Sequence, residues 1–177
     1  MTTDIRFASF NAFLNRSTEG ELITDLSTPD DTQAQAVAEI IQRTRPDVVL
    51  INEFDFDADG TGIQLFQDNY LSVAQAEDVE AIAYPYIYNA PSNTGVAAGF
   101  DFDNNGEVAT EPGSVAYGND SFGFGFFPGQ FAQVLLSQHP IVEEDVRTFQ
   151  NFLWRDMPGA LLPADPEDAD GNGDTAS

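Results

Sequence analysis

Cysteine and lysine are both missing from the 177 residues of this chain. Without cysteine there is no disulfide and no thiolate metal site, and the redox compartment stays open. A single histidine, His139, supplies no second imidazole for a histidine zinc site. No serine sits in a nucleophile elbow, so a catalytic triad has no support either. No apolar run approaches the roughly 20 residues that cross a bilayer. The opening, MTTDIRFASFN, lacks the basic-then-apolar order of a signal peptide. Positive charge is the scarcest commodity. Six arginines face thirty acids, for a formal charge of −24.

That imbalance excludes some partners. Nucleic-acid affinity comes mainly from cationic side chains that displace phosphate counterions, so duplex DNA is disfavoured. Strong net charge also favours a soluble monomer. The lysine-free, acidic composition suits a salty or extracellular medium, which points to an extracellular or periplasmic setting. With 42% hydrophobic residues and 15 phenylalanines, the chain can bury one sizeable core.

Residues 5–10 (IRFASF) read as a first strand, followed by a polar loop from Asn11 to about Asp30. Asp30 or Asp31 can cap a helix whose apolar stripe is Ala34, Val37, Ala38 and Ile41. Pro46 ends it, because the residue before a proline avoids the helical region. Val48 to Asn52 is a continuously apolar strand, the pattern of a strand covered on both faces. Strand, helix, strand in this order suggests a parallel pair, with Asn11 and Glu53 each just past a carboxyl end. Ligand sites of open α/β sheets lie at that edge. Further along, the pattern predicts a helix over 63–72 and strands over 85–88, 96–102, 131–137 and 148–153. It predicts turns over 103–121. After Pro163 the chain is polar, acidic and aperiodic, a loop or tail.

Three stretches open like a calcium loop. They are Asp55-x-Asp57-x-Asp59-Gly60, Asp101-x-Asp103-x-Asn105-Gly106 and Asp168-x-Asp170-x-Asn172-Gly173. Alternate oxygen ligands and a turn glycine suit calcium. The twelfth position is Phe66 in the first and Pro112 in the second, and the third runs off the chain, so none is an EF-hand. Ordinary acidic turns are the plainer reading. His139, followed by Pro140, reads as a surface turn residue. The stretch FGFGFFPGQF (122–131) reads as a glycine-kinked hairpin burying phenylalanine, with an aromatic rim beside a site as the functional version.

FASFNAFL (7–14) and RPDVVLINEFD (45–55) resemble the opening of the endonuclease/exonuclease/phosphatase superfamily. YPYIYNAPSNTG, GFGFFPGQFAQVLLSQHPI and FLWRDMPGALLP extend the likeness to a bacterial phosphatase- or phosphodiesterase-like branch. The resemblance implies an α/β fold, the first half of a four-layer α/β sandwich with two packed mixed sheets. It implies that Glu53 is the main ligand of Mg²⁺ or Mn²⁺ and that Asn11 orients Glu53 or contacts the phosphate. Arg155 is a candidate phosphate contact. Ca²⁺ stays possible through the acidic turns, and Asp55, Asp57 and Asp59 read as a solvated turn after Glu53. The implied reaction is metal-dependent hydrolysis of phosphate mono- or diesters, and the charge of −24 makes a small or lipid-like substrate the expectation over duplex DNA.

The family also carries a catalytic His, an Asp-x-Asn pair and a final Asp-His pair in its second half, and the resemblance ends before them. Residues 1–162 are therefore expected to be the N-terminal part of such a domain and 163–177 an acidic loop or tail. The chain is expected to be truncated and, alone, inactive. An acidic extracellular calcium-binding module and a non-catalytic remnant of the family are the alternatives.

Overall fold

The computed structural model describes residues 4–161. These divide between a unit ending at Glu143 and a second unit beginning at Glu144. The first unit opens with β1 (Phe7–Leu14), then α1 (Glu21–Leu26), α2 (Thr32–Thr44) and β2 (Val48–Phe54). Next come α3 (Thr61–Phe66) with a π-helical turn over Gln67–Leu71, β3 (Tyr86–Asn89), α4 (Val115–Asn119) and β4 (Gln133–Ser137). The strands form one mixed sheet in the order β1-β2-β4-β3. β1 runs parallel to β2, and β4 runs antiparallel to both β2 and β3.

One face of the sheet is packed. Ala12, Leu14, Val49, Ile51, Val134 and Leu136 share a core with Ala34, Val37, Ala38 and Ile41 of α2 and with Phe66, Tyr70 and Leu71. Each buried valine, leucine, isoleucine or phenylalanine of this set contributes about 1.5–3 kcal/mol by burial. The predicted α2 stripe is thus the face that packs. Asp31 caps the helix, its carboxylate accepting the Ala34 N–H at 2.7 Å. At the far end Arg45 turns left-handed and its N–H closes on Ile41 O, just before Pro46. Within the first unit the other face of the sheet is less covered. In register across it stand Ser9, Leu50, Leu135 and Tyr88, one row below Asn11, Asn52 and Gln133. The strand Val48–Asn52 is therefore fully buried on one face within that unit, not two.

Several elements differ from the sequence pattern. β1 continues to Leu14, through what reads as the start of a loop. α1 lies inside that expected loop, anchored by buried Leu22 and Leu26, and is too short to show a period. The helix expected over 63–72 changes pitch at Gln67. Carbonyls loosened there are met by the buried Gln42 amide, which donates to Leu71 O at 3.0 Å and Val73 O at 2.7 Å. Over 96–102 there is only a single bridge, Ala97 to Ser121, and Gly99 sits at φ 77°. The turn-rich stretch 103–121 contains α4. In the second unit 148–153 is not a strand, and Trp154–Asp156 forms a 3-10 turn. The expected segment 163–177 lies outside the described residues. No helix among the described residues is long and apolar enough to cross a membrane.

Candidate metal site near the ends of the parallel strands

Regular alternation along β2 would send Glu53 to the same face as Val49 and Ile51, into the core. Instead Phe54 takes the buried place, at 2% exposure, and Glu53 is only half-buried. The cause is a bulge. Asn11 pairs with Asn52 and Leu14 with Phe54, so Ala12 and Phe13 together oppose Glu53. Both Phe13 (φ 53°) and Glu53 (φ 57°) adopt the left-handed conformation. For residues with a Cβ this conformation is uncommon and strained. Bulges re-aim a side chain, and strain of this kind concentrates at functional sites. Here the result is a carboxylate lifted out of the core and turned to the sheet edge.

Two amides meet it there. Asn11 Nδ2 donates to Glu53 Oε1 at 2.7 Å, and Asn15 Nδ2 donates to Oε2 at 3.3 Å. Asn11 Oδ1 in turn accepts the Phe13 N–H at 3.1 Å, so both ends of that amide are engaged. Sequence reasoning identifies Asn11 and Glu53 and misses Asn15, whose spacing from Asn11 follows no recognisable pattern.

The chain around these residues is pinned on every side. Asp55 accepts the Arg16 N–H at 2.7 Å and the Phe131 N–H at 3.3 Å. Gln130 Nε2 donates to Arg16 O at 2.6 Å, while its Oε1 accepts the Phe126 N–H. The Arg16 guanidinium reaches Asp25 at 2.5 Å and Asp31 at 2.8 Å, and also Gln33 Oε1. Gln33 closes the ring by donating to Phe13 O at 2.6 Å. The N-terminus of α2, the end of β1, the end of β2 and the entry to β4 are thus one hydrogen-bonded knot.

This corrects the reading of the trailing acids as a solvated turn. Asp55 is 8% exposed, and burial pushes its carboxyl up to about 6 even though the Arg16 and Phe131 N–H groups favour the anion. Asp57 accepts the Thr61 and Gly62 N–H groups at 2.7 and 2.9 Å and so caps α3. Only Asp59 is an exposed turn residue.

The hairpin expectation for 122–131 also fails. Phe122 and Phe124 are exposed, and only Phe127 is fully buried. The stretch instead lines up rings. Phe124 stands 5.6 Å from Phe126 and 6.5 Å from Phe131, and Phe122 meets Phe102, which stacks on Phe100. Gly129, at φ 91°, lets this loop touch Phe56, where a Cβ would come within 3.0 Å of the Phe56 Cβ. The aromatic stretch therefore leads directly into the strand edge beside Asp55.

Other sequence candidates lie elsewhere. His139 is exposed in the turn after β4, where its N–H donates to Ser137 Oγ. Arg155 is exposed on the Trp154–Asp156 turn of the second unit. Asp101, Asp103 and the buried Asp120 bring carboxylate oxygens within 4.8 Å of one another and could hold a metal ion. Backbone N–H groups of Ala109, Phe102 and Asp103 already hold the Asp120 carboxyl below the usual range.

A parallel βαβ start with a carboxylate turned out at the strand end defines an α/β protein with a ligand-ready sheet edge. The chain belongs to the Endonuclease/Exonuclease/phosphatase family, whose model matches residues 8–171. Members of that family are hydrolases that typically use divalent metals. No curated protein and no solved structure matches the chain.

Proposed function

We propose that this chain carries the metal-binding part of a divalent-cation-dependent phosphoester hydrolase, with Glu53 as the principal ligand. The observation that carries the reading is the bulge that turns Glu53 out of the core and onto the Asn11 amide. The donor set fits the cation. A hard Mg²⁺ or Mn²⁺ takes a carboxylate and water, and each Glu53 oxygen has a lone pair beyond the one its asparagine occupies. When bound, the cation supplies charge stabilisation to a phosphoryl oxygen and to the attacking water. Asn11, engaged at both ends of its amide, orients Glu53. The substrate is a small or lipid-like phosphate mono- or diester, since a charge of −24 repels duplex DNA.

Part of this proposal is that the single sheet is one of the two sheets of a four-layer sandwich. On this reading the 177 residues by themselves do not turn over a phosphoester. Bis(p-nitrophenyl) phosphate with Mn²⁺ tests that, and turnover abolished by Glu53→Ala would contradict the incompleteness while keeping the site. Calorimetry with Mg²⁺, Mn²⁺ and Ca²⁺ tests the site itself. Binding lost in Glu53→Ala is the expected result. Binding that survives Glu53→Ala and disappears with Asp101→Ala would move the metal to the 101–120 loop.

A further inference from the structure

We infer that Asn15 is a positioning residue that fixes the rotation of the Glu53 carboxylate. The inference rests on the reading of Glu53 as a metal ligand and adds a residue to it. The last torsion of a glutamate side chain is broad and roughly two-fold. One donor on one oxygen leaves the carboxylate free to pivot about that hydrogen bond. A second donor on the other oxygen stops the pivot. Asn11 holds Oε1 at 2.7 Å and Asn15 holds Oε2 at 3.3 Å, so the two amides define the carboxylate plane between them. One lone pair on each oxygen stays available for a cation.

The placement of Asn15 is itself built. It follows directly on β1, and the next residue is clamped through its backbone on both sides, Arg16 N by Asp55 and Arg16 O by Gln130. The Arg16 guanidinium donates back to Asn15 O at 2.9 Å while its other nitrogens hold Asp25 and Asp31. Asn15 therefore has little freedom to follow a moving carboxylate. It imposes an orientation on Glu53.

Outer partners of this kind change metal affinity by about 10–100-fold. The test is Mn²⁺ calorimetry on the 177-residue chain, its Glu53→Gln variant and its Asn15→Ala variant, with a thermal melt of each. The expected result is binding in the parent chain, none in Glu53→Gln, and affinity weakened about tenfold or more in Asn15→Ala with an unchanged melting point. Equal affinity in Asn15→Ala and the parent would overturn the inference and leave Glu53 standing. Equal affinity in Glu53→Gln and the parent would overturn both. A second measurement needs no change at Asn15. The side-chain amide proton resonances of Asn15 are expected to shift in Glu53→Gln, and an unmoved signal would overturn the inference.

Discussion

Two loops of this molecule read almost identically, Asp55-x-Asp57-x-Asp59-Gly60 and Asp101-x-Asp103-x-Asn105-Gly106, yet they do different work. In the first, the acids tie separate elements together. Asp55 joins the end of β1 to the entry of β4, and Asp57 caps α3. In the second, Asp101 accepts from the Asn105 and Gly106 N–H groups of its own turn, and Asp103 accepts from Asn105 N–H and the Asn119 amide. The difference is position. The first loop leaves a central strand at the crowded edge of the sheet, where a carboxylate is desolvated and must be matched by donors. The second is a surface excursion, where the same residues close a local turn. Alternate acids before a glycine thus describe a turn, and burial decides whether that turn becomes architecture.

Substitutions can break this contrast. The largest effect belongs to the residue just before the first loop. Glu53→Gln is expected to lower divalent-cation affinity by more than about 100-fold, beyond what loss of an outer partner costs. Calorimetry reads it, with a melting point close to that of the parent chain.

Asp55→Ala follows. It leaves the Arg16 and Phe131 N–H groups without their acceptor, at about 1–3 kcal/mol for each buried donor. Urea denaturation should show a loss of about 2–6 kcal/mol. The same carboxyl also sharpens the contrast through pH. Its folded pKa, about 6, lies above the ordinary aspartate value of 3.8, so the folded chain holds the proton more tightly than the unfolded one. Its contribution is complete below the unfolded pKa and is lost as pH rises through the folded one. Relative to Asp55→Asn, the parent chain should lose on the order of 3 kcal/mol of stability between about pH 4 and pH 7. A flat difference across that window would show that Asp55 is not desolvated.

Gly129→Ala should cost about 1–3 kcal/mol, since it puts a Cβ on a left-handed residue against Phe56. Asp103→Ala is the smallest. The side chain is exposed, and the melting free energy should move by no more than about 0.5 kcal/mol. A loss as large as that of Asp55→Ala would erase the distinction between the loops.

How much of this was legible in the sequence follows from what each feature depends on. The α2 stripe, the Asp31 cap and the stop at Pro46 are local, and the structure places each of them as the pattern says. The parallel pairing of β1 and β2 followed from the strand–helix–strand order. Asn11 and Glu53 stood out through the family resemblance and as expected strand ends, but both lie inside their strands, Asn11 three residues before the end of β1 and Glu53 one before the end of β2. Their contact was not visible, because it depends on a bulge in which Phe13 and Glu53, two residues with no turn propensity, are left-handed. Asn15 and Gln130 were hidden for a related reason. Gln130 acts on Arg16 from 114 positions away, and only the folded edge brings them together. The strand expected over 96–102 failed because a short glycine-interrupted run finds only a single bridging partner. The exposed rings of 122–131 show the limit of composition. Phenylalanine favours burial on average, but here glycines at close approach carry the loop and leave Phe122 and Phe124 outside.

The most direct test of the Glu53 site is crystallographic. Crystals of the chain grown with Mn²⁺ should show an anomalous peak about 2 Å from a Glu53 carboxylate oxygen, with the Asn11 and Asn15 amides still on that carboxylate. A peak found only among Asp101, Asp103 and Asp120, with Glu53 bare, would contradict the account.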